Sequence, residues 1–465
     1  MVKGGLVGLI FIFSMSKGIC QTTKDTLSIS FRDLPLEIVL DSITYKTRYQ
    51  FSYNSSLLPR GSLFTLTRNQ IQIDSLLRIL LVGTGLVHEK LDDQIFLKKK
   101  PEEKEKTIPV TLLSGWVRES ESKEPVQGVN VFLNGTMIGA ATDQHGTYEI
   151  RDVPEGSYIL VFSHVGYRLI SYSLSIEENS TKVVNALLDQ KLEELDVIEL
   201  VATPFVEEDD WPKYYRQFTR EFLGTSGNAI KCEILNSEVL DFSFDKEDEV
   251  LTAEAKEALI IENKALGYKL TYELESFTKS STSTSFYGKA RFENLEPTNK
   301  RERKRWRRNR VKSYNGSISH FFKSLIKNNH FGQGYQVFRF NSQEDIDNNN
   351  FSVVNPQQMI TKSKNDFEWI FSFDGRLLIQ YNKEVENAQY LREVNADRFT
   401  EGITGLHLLK PAAQRSIIEL NNEEVTIDKY GQIKEPFGLK TTGYWAWERI
   451  GEMMPAEFNP KTDNL

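Results

Sequence analysis

Between Val110 and Asp189, five short motifs of alternating apolar residues and turn residues follow in order. They constrain the fold more than any other feature of the chain. They are Gly115-x-Val117, Pro125-Val126-x-Gly128-Val129-x-Val131, Thr142-Asp143-x-x-Gly146-x-Tyr148-x-Ile150, Val153-Pro154-x-Gly156-x-Tyr158 and Val165-Gly166-Tyr167. Short strands with glycine turns at regular spacing make a small β-sandwich. Asp143 to Gly146 has the form of a tight hairpin turn with Gly146 at positive φ. It lacks the dense Asp/Asn series of a calcium loop. Pro154 and Gly156 turn the chain before a strand carrying Tyr158, Leu160 and Phe162.

Taken together, these motifs resemble the carboxypeptidase-regulatory-like domain. That resemblance implies a seven-stranded transthyretin-like sandwich over residues 110–190. It does not imply peptidase chemistry. Zinc carboxypeptidases bind metal through a His and a Glu three residues on, with a distant second His. Here His88, His145, His164, His320, His330 and His407 are followed at that spacing by Leu91, Tyr148, Tyr167, Lys323, Gln333 and Lys410. There is no His-Glu-x-x-His and no Gly-x-Ser-x-Gly. Gly332-Gln333-Gly334 lacks the third glycine of a dinucleotide loop and reads as a turn. The expectation is a protein that is not an enzyme, with no catalytic residues, no cofactor and no metal. An unrecognised hydrolase is the alternative.

Upstream, Leu27, Ile29 and Phe31 alternate with polar residues, and Leu36, Val39, Leu40 and Ile43 follow at helical spacing. Asp33 is placed as the cap of that helix, with Pro35 in its first turn. Tyr49, Phe51 and Tyr53 alternate again. Asp74 or Ser75 is placed as the cap of a second helix through Leu76, Leu77 and Leu80, ended by Gly83 and Gly85. Asp92-Asp93 joins two strands of a closing hairpin. Residues 26–98 thus read as a small α+β domain. Ile29-Ser30-Phe31-x-x-Leu34-Pro35-Leu36, Tyr49-x-Phe51-x-Tyr53 and Leu76-x-x-x-Leu80-Leu81-x-Gly83-Thr84-Gly85-Leu86 resemble the short secretin/TonB N-terminal domain. The resemblance implies a periplasmic protein-contact module, whose partner in transducing receptors is an anti-sigma regulator. A transporter component is the other partner expected.

Lys3, the apolar stretch Leu6–Phe13 and the small residues Gly18 and Cys20 have the layout of a signal peptide over residues 1–20. A buried N-terminal helix and a lipid anchor on Cys20 are the alternatives. A cut after Cys20 would leave Cys232 as the single cysteine, so stability would rest on cores and not on disulfides. The expected location is the periplasm or the periplasmic face of the outer membrane. The net charge of −8 disfavours nucleic acid as a partner.

Residues 99–109, rich in Lys and Glu, read as a linker, and so do residues 191–206. Within the second, Leu192–Ala202 resembles the segment joining this kind of sandwich to the plug of TonB-dependent receptors. What remains, residues 207–465, is too short for a 22-stranded receptor barrel. Asp210, Trp211 and Pro212 start a helix with Tyr215, Phe218 and Phe222 on one stripe, ended by Gly224. Strands are expected around Tyr268–Leu274, Phe286–Phe292, Tyr335–Val337, Phe367–Phe373, Arg376–Tyr381, Ser416–Leu420 and Glu424–Ile427, with a polar loop at Asn341–Asn350. Phe222-Leu223-Gly224, Cys232-x-Ile234-Leu235-Asn236, Ile261-Glu262-Asn263 and Arg310-x-x-x-Tyr314-x-Gly316-Ser317 resemble the C-terminal region of envelope proteins that carry the sandwich without a barrel. The fold class is therefore multidomain and mainly β: a small α+β domain, a sandwich and a larger β-rich α+β C-terminal domain. A small outer-membrane barrel is the alternative for the last part.

The most unusual local feature is the basic run from Lys300 to Lys312. On a helix, Arg301, Lys304, Arg305, Arg308 and Lys312 share one face, while Trp306, Arg310, Ser313 and Tyr314 line another. The first face is a candidate contact for anionic lipid, lipopolysaccharide or an acidic partner. Its plain reading is a solvated helix packed through Trp306 and Tyr314. A second candidate is a pocket drawing on Asn263, Tyr268, Arg310, Tyr314 and His320; the plain reading of those residues is core and turn.

Overall fold

The computed structural model describes residues 26–59, 62–99, 111–191, 208–340, 345, 351–400 and 412–463. The expected signal peptide lies outside them. So do nearly all of both expected linkers and, apart from Asp345, the Asn341–Asn350 loop. Strand residues outnumber helical ones, 44% against 24%, so the chain is mainly β. It divides into two units, residues 1–106 and 107–465.

In the first unit, Thr26–Pro35 pairs antiparallel with Leu63–Gln72, and Gln94–Lys99 lies between Gln50–Ser52 and Leu86–Leu91. Helix α1 (Leu36–Lys46) and helix α2 (Ile73–Leu81) bury Val39, Leu40, Ile43, Leu76, Leu77 and Leu80 against Leu27, Ile29, Phe31 and Ile95. Two expected caps are corrected. Asp33 does not cap α1; Pro35 occupies that position without a side-chain bond. Instead Asp33 sits at φ +51° where the strand register shifts between Phe31 and Leu34, and its carboxylate accepts from the Thr65 hydroxyl at 2.8 Å. Neither Asp74 nor Ser75 caps α2, which begins at Ile73 after Gln72. The carboxylate of Asp74 falls in the first turn, where the helix dipole favours it. The long strand Leu63–Gln72 was not anticipated, because its polar and charged residues break the alternation.

The second unit begins with the sandwich. One sheet runs Ile170–Ile176, Gly156–Ser163, Asn130–Leu133, Gly139–Ala141. The other is built on Leu112–Glu119, paired antiparallel with Thr147–Arg151 and parallel with Thr181–Val183 and Ala186–Leu188. Those last two are successive pieces of one interrupted strand, which gives the expected seven. The Asp143 turn forms as read. Its carboxylate accepts from the backbone N–H groups of His145 and Thr147 at 2.9 and 2.8 Å. These bonds, chiefly that from Thr147, hold the carboxyl below its usual range. Gly146 has φ +72°, and a Cβ there would meet the Val117 carbonyl oxygen at 2.4 Å.

Beyond the sandwich, a six-stranded antiparallel sheet joins Cys232–Ile234, Leu259–Asn263, Tyr268–Lys279, Val250–Ala255 and Leu240–Asp245, with Thr284–Asn294 also on Tyr268–Lys279. Helix α3 (Trp211–Leu223) covers it through Tyr214, Phe218 and Phe222. Asp210 precedes α3 but makes no side-chain capping bond. Helix α4 (Lys300–Tyr314) and helix α5 (Ile318–Ile326) follow, then the short helix α6 (His330–Gln333), which ends at Gly334. A five-stranded sheet has the order Ser352–Val353, Tyr335–Phe340, Arg376–Val385, Ala413–Leu420, Leu439–Gly443. A three-stranded sheet joins Ile360–Lys362, Glu368–Phe371 and Val425–Asp428. Phe321, Phe322 and Leu325 of α5 fill the core between them. Further along are helices α7 (Ala388–Thr400) and α8 (Tyr444–Trp447). The described strands form open sheets, and none closes into a barrel. The barrel alternative for the C-terminal part is thereby overturned. Among the described residues no helix is long and apolar enough to cross a membrane.

Candidate functional site: the basic helix and its cleft

Helix α4 starts where Asn299 accepts from the N–H groups of Arg301 and Glu302, both at 3.0 Å. Glu302 reaches back to the Thr298 N–H at 2.9 Å, closing a reciprocal cap. The inner face then reads successive carbonyls of the Lys264–Gly267 turn. Trp306 Nε1 donates to Lys264 O at 2.9 Å, and Asn309 Nδ2 to Ala265 O at 2.9 Å. Arg310 donates from Nε to Leu266 O at 2.7 Å and from Nη2 to Gly267 O at 3.0 Å. These bonds cap a turn that would otherwise bury bare carbonyls.

Arg310 is 1% exposed. Its guanidinium lies 3.7 Å from the centre of the Tyr268 ring, donates to Asn294 Oδ1 at 3.0 Å and reaches Asp463 Oδ1 at 3.4 Å. Burial pulls its pKa below the usual arginine value, opposed by Tyr268 and Asp463. Burial also pushes the Tyr268 phenol up. The outer face is the reverse. Arg301, Lys304, Arg305, Arg308 and Lys312 are all exposed, as are Lys300, Arg303 and Arg307. Among the described residues, the one ion pair on this face joins Arg305 to Glu302 at 2.7 Å.

The five residues read as a possible pocket fall in three places. Tyr268 and Arg310 line a cleft of about 390 Å³, together with Met137, Asn294, Glu457 and Asp463. Asn263 braces the turn before it: Oδ1 accepts from the N–H groups of Ala265 and Leu266, and Nδ2 donates to Gly451 O at 2.9 Å. The Tyr314 and His320 rings meet at a tilt, 4.9 Å between centroids, in an aromatic cluster with Tyr335 and Phe458. His320 Nδ1 lies 3.2 Å from the Gly316 N–H and 3.1 Å from the Tyr335 hydroxyl, and Nε2 lies 3.2 Å from Gln333 Oε1. With Nδ1 accepting from Gly316, the network assigns the ring proton to Nε2. Burial drops the His320 pKa to about 4, so the ring is neutral at pH 7. Cys232 is half-buried, and burial raises its thiol to about 12, which leaves it protonated.

Sequence reasoning missed Glu457, Asp463 and the loop that brings them Met137. Asn134–Met137 leaves the sandwich and inserts into the C-terminal part. Gly135 N–H donates to Ala290 O at 2.7 Å, Phe292 N–H to Thr136 O at 2.9 Å and Ala456 N–H to Gly135 O at 2.8 Å. Met137 N–H donates to Glu457 Oε1 at 2.7 Å. Nearby, Glu368 accepts from Ser157 and from Lys434, each at 2.5 Å, and the Tyr158 and Tyr430 hydroxyls meet at 2.9 Å. Ser163 also bonds Glu273. The partners lie from 66 positions apart, for Glu368 and Lys434, to more than 300, for Gly135 and Ala456, so no local pattern could have disclosed them.

Residues 113–200 match the CarboxypepD_reg-like domain family. TonB-dependent receptor P39 of Formosa agariphila is 35% identical over 77 residues, which is 17% of this chain and 7% of the receptor. TonB-dependent receptor P3 of the same organism is 34% identical over 87 residues, 18% of this chain and 8% of the receptor. The chain therefore spans less than a tenth of either relative's length. Among solved structures, BcpA, the major pilin subunit of Bacillus cereus, aligns over 21% of this chain and 31% of its own at 14% identity and a TM-score of 0.16. That score is too low to relate the two folds. The chain thus carries a CarboxypepD_reg-like domain at residues 113–200, within a mainly β protein weakly similar to TonB-dependent receptors.

Proposed function

We propose that this protein is a non-catalytic adaptor of the cell envelope that holds an anionic membrane surface through the outer face of α4. Similarity of the sandwich to two TonB-dependent receptors supports the envelope location. The observation that carries the membrane contact is the division of labour on α4. Its inner face is fixed by bonds to four consecutive residues, so its cations are presented on a rigid support. Clustered Lys and Arg near an anionic surface contribute about 1 kcal/mol each. The sandwich, bonded into the same unit, moves with that surface. The first unit contacts an envelope protein, an anti-sigma regulator or a transporter component, as its resemblance implies. The periplasmic face of the outer membrane is the compartment this arrangement suits.

The test is sedimentation of the full chain with vesicles of phosphatidylglycerol and phosphatidylcholine against phosphatidylcholine alone. Binding to the first that weakens steeply with added salt is expected. Equal binding to both, or none to either, would refute the membrane contact.

A further inference from the structure

Two carboxylates at the cleft beside Arg310 are only half used. Glu457 gives Oε1 to the Met137 N–H, and Asp463 gives Oδ1 to Arg310. Glu457 Oε2 and Asp463 Oδ2 are buried without a hydrogen-bond partner among the described residues. Both side chains line the cleft of about 390 Å³, and that of Asp463 is nine-tenths buried, at 10% exposure. Buried carboxylate oxygens without donors are costly, and native structures rarely leave them so.

Of the cations close by, Arg310 gives Nη1 to Asp463 Oδ1 and its other donors to other acceptors, Lys323 is bonded to carbonyls, and Arg303 lines the cleft with its side chain exposed. Arg310 spends Nε and Nη2 on Leu266 O, Gly267 O and Asn294 Oδ1. Lys323 donates to Ala456 O at 2.9 Å and to Phe458 O at 3.4 Å. What the cleft offers a ligand is therefore acceptor capacity, from Glu457 and Asp463, with three carboxylates (Glu296, Glu457 and Asp463) against two guanidiniums (Arg303 and Arg310), beside apolar surface from Met137, Leu295 and Phe458. An anion would face those carboxylates. A sugar would supply donors but no charge. A primary ammonium on a short alkyl stem supplies three donors, a positive charge and an apolar shaft.

We propose that this cleft binds the primary ammonium group of a small alkylamine, with Glu457 Oε2 and Asp463 Oδ2 as its acceptors. The volume is within the range of small-ligand sites, about 300–1,000 Å³. Arg303 of α4 also lines the cleft, but the proposal does not rest on the membrane contact.

Isothermal titration calorimetry on the full chain tests it with n-butylamine and Nα-acetyl-lysine methylamide, against n-butanol and glucose. One amine bound per chain is expected, with no heat from butanol or glucose. Binding of both amines points to a free alkylamine, and binding of the lysine amide alone to a lysine side chain; either supports the site. Glu457→Gln is the decisive variant, because its amide oxygen can still accept from Met137. It should weaken amine binding at least about tenfold. Thr462→Lys, at the exposed rim of the cleft, tethers an ammonium there and should abolish binding while the far-UV spectrum is unchanged. No heat from either amine, equal binding of butanol or glucose, or full affinity in Glu457→Gln would each overturn the proposal.

Discussion

Arg308 and Arg310 stand two positions apart on α4 and do opposite things. Arg308 is exposed, and among the described residues it has no ion pair. Arg310 is buried, stacked on Tyr268 and bonded to two carbonyls, an amide and a carboxylate. The difference teaches that a basic run need not have one purpose. The inner arginine is a structural bracket, and it leaves the outer ones free to meet something else.

Breaking the inner face should have the largest effect. Arg310→Ala strips donors from Leu266 O and Gly267 O and leaves Asp463 unpaired. We expect a loss of about 3–5 kcal/mol, read by urea denaturation. A loss under about 1 kcal/mol would mean the bracket is ornamental.

Next to α4, His320 sharpens the same contrast, because burial keeps it neutral. Its folded pKa, about 4, lies below the ordinary value of 6.5. The unfolded chain therefore takes up a proton first as pH falls. The contribution is complete above pH 6.5 and is lost progressively between pH 6.5 and pH 4, for a total of about 3 kcal/mol. Melting temperatures from pH 7.5 to 4.5 should fall more steeply in the native chain than in His320→Gln. Parallel slopes would remove the histidine from the account.

A smaller loss is expected from Gly267→Ala. Gly267 has φ +70°, and an added Cβ would lie 2.2 Å from the Trp306 ring, so the turn and α4 would have to separate. The backbone strain and the clash together should cost about 2 kcal/mol by thermal or chemical denaturation. A neutral result would show that α4 does not depend on close approach to this turn.

How much of this was legible in the sequence follows the range of the interactions. The sandwich was readable because its turns are local: Asp143 bonds residues two and four positions on, and Gly146 takes the conformation its motif requires. The inner stripe of α4, Trp306, Arg310 and Ser313, was also readable, since helical spacing alone separates it from the charged face. Strands Leu240–Asp245 and Val250–Ala255 escaped notice because short alternations broken by charge carry little period-2 signal. Helix α7 has no apolar stripe to announce it. The site was the least legible part. Asn263, Tyr268, Arg310, Tyr314 and His320 were grouped by sequence, yet the fold divides them among a turn, a cleft and an aromatic core. The residues that complete the cleft, Met137, Glu457 and Asp463, come from opposite ends of the second unit.

The outer face should show the smallest effect on stability and a large one on binding. The double variant Arg305→Glu/Arg308→Glu is predicted to keep its stability within about 0.5 kcal/mol, because both side chains are exposed. The most direct measurement is flotation of this variant beside the native chain with phosphatidylglycerol-containing vesicles, with unfolding curves recorded on the same preparations. Loss of flotation at unchanged stability is the result the account predicts. Flotation equal to that of the native chain would contradict it.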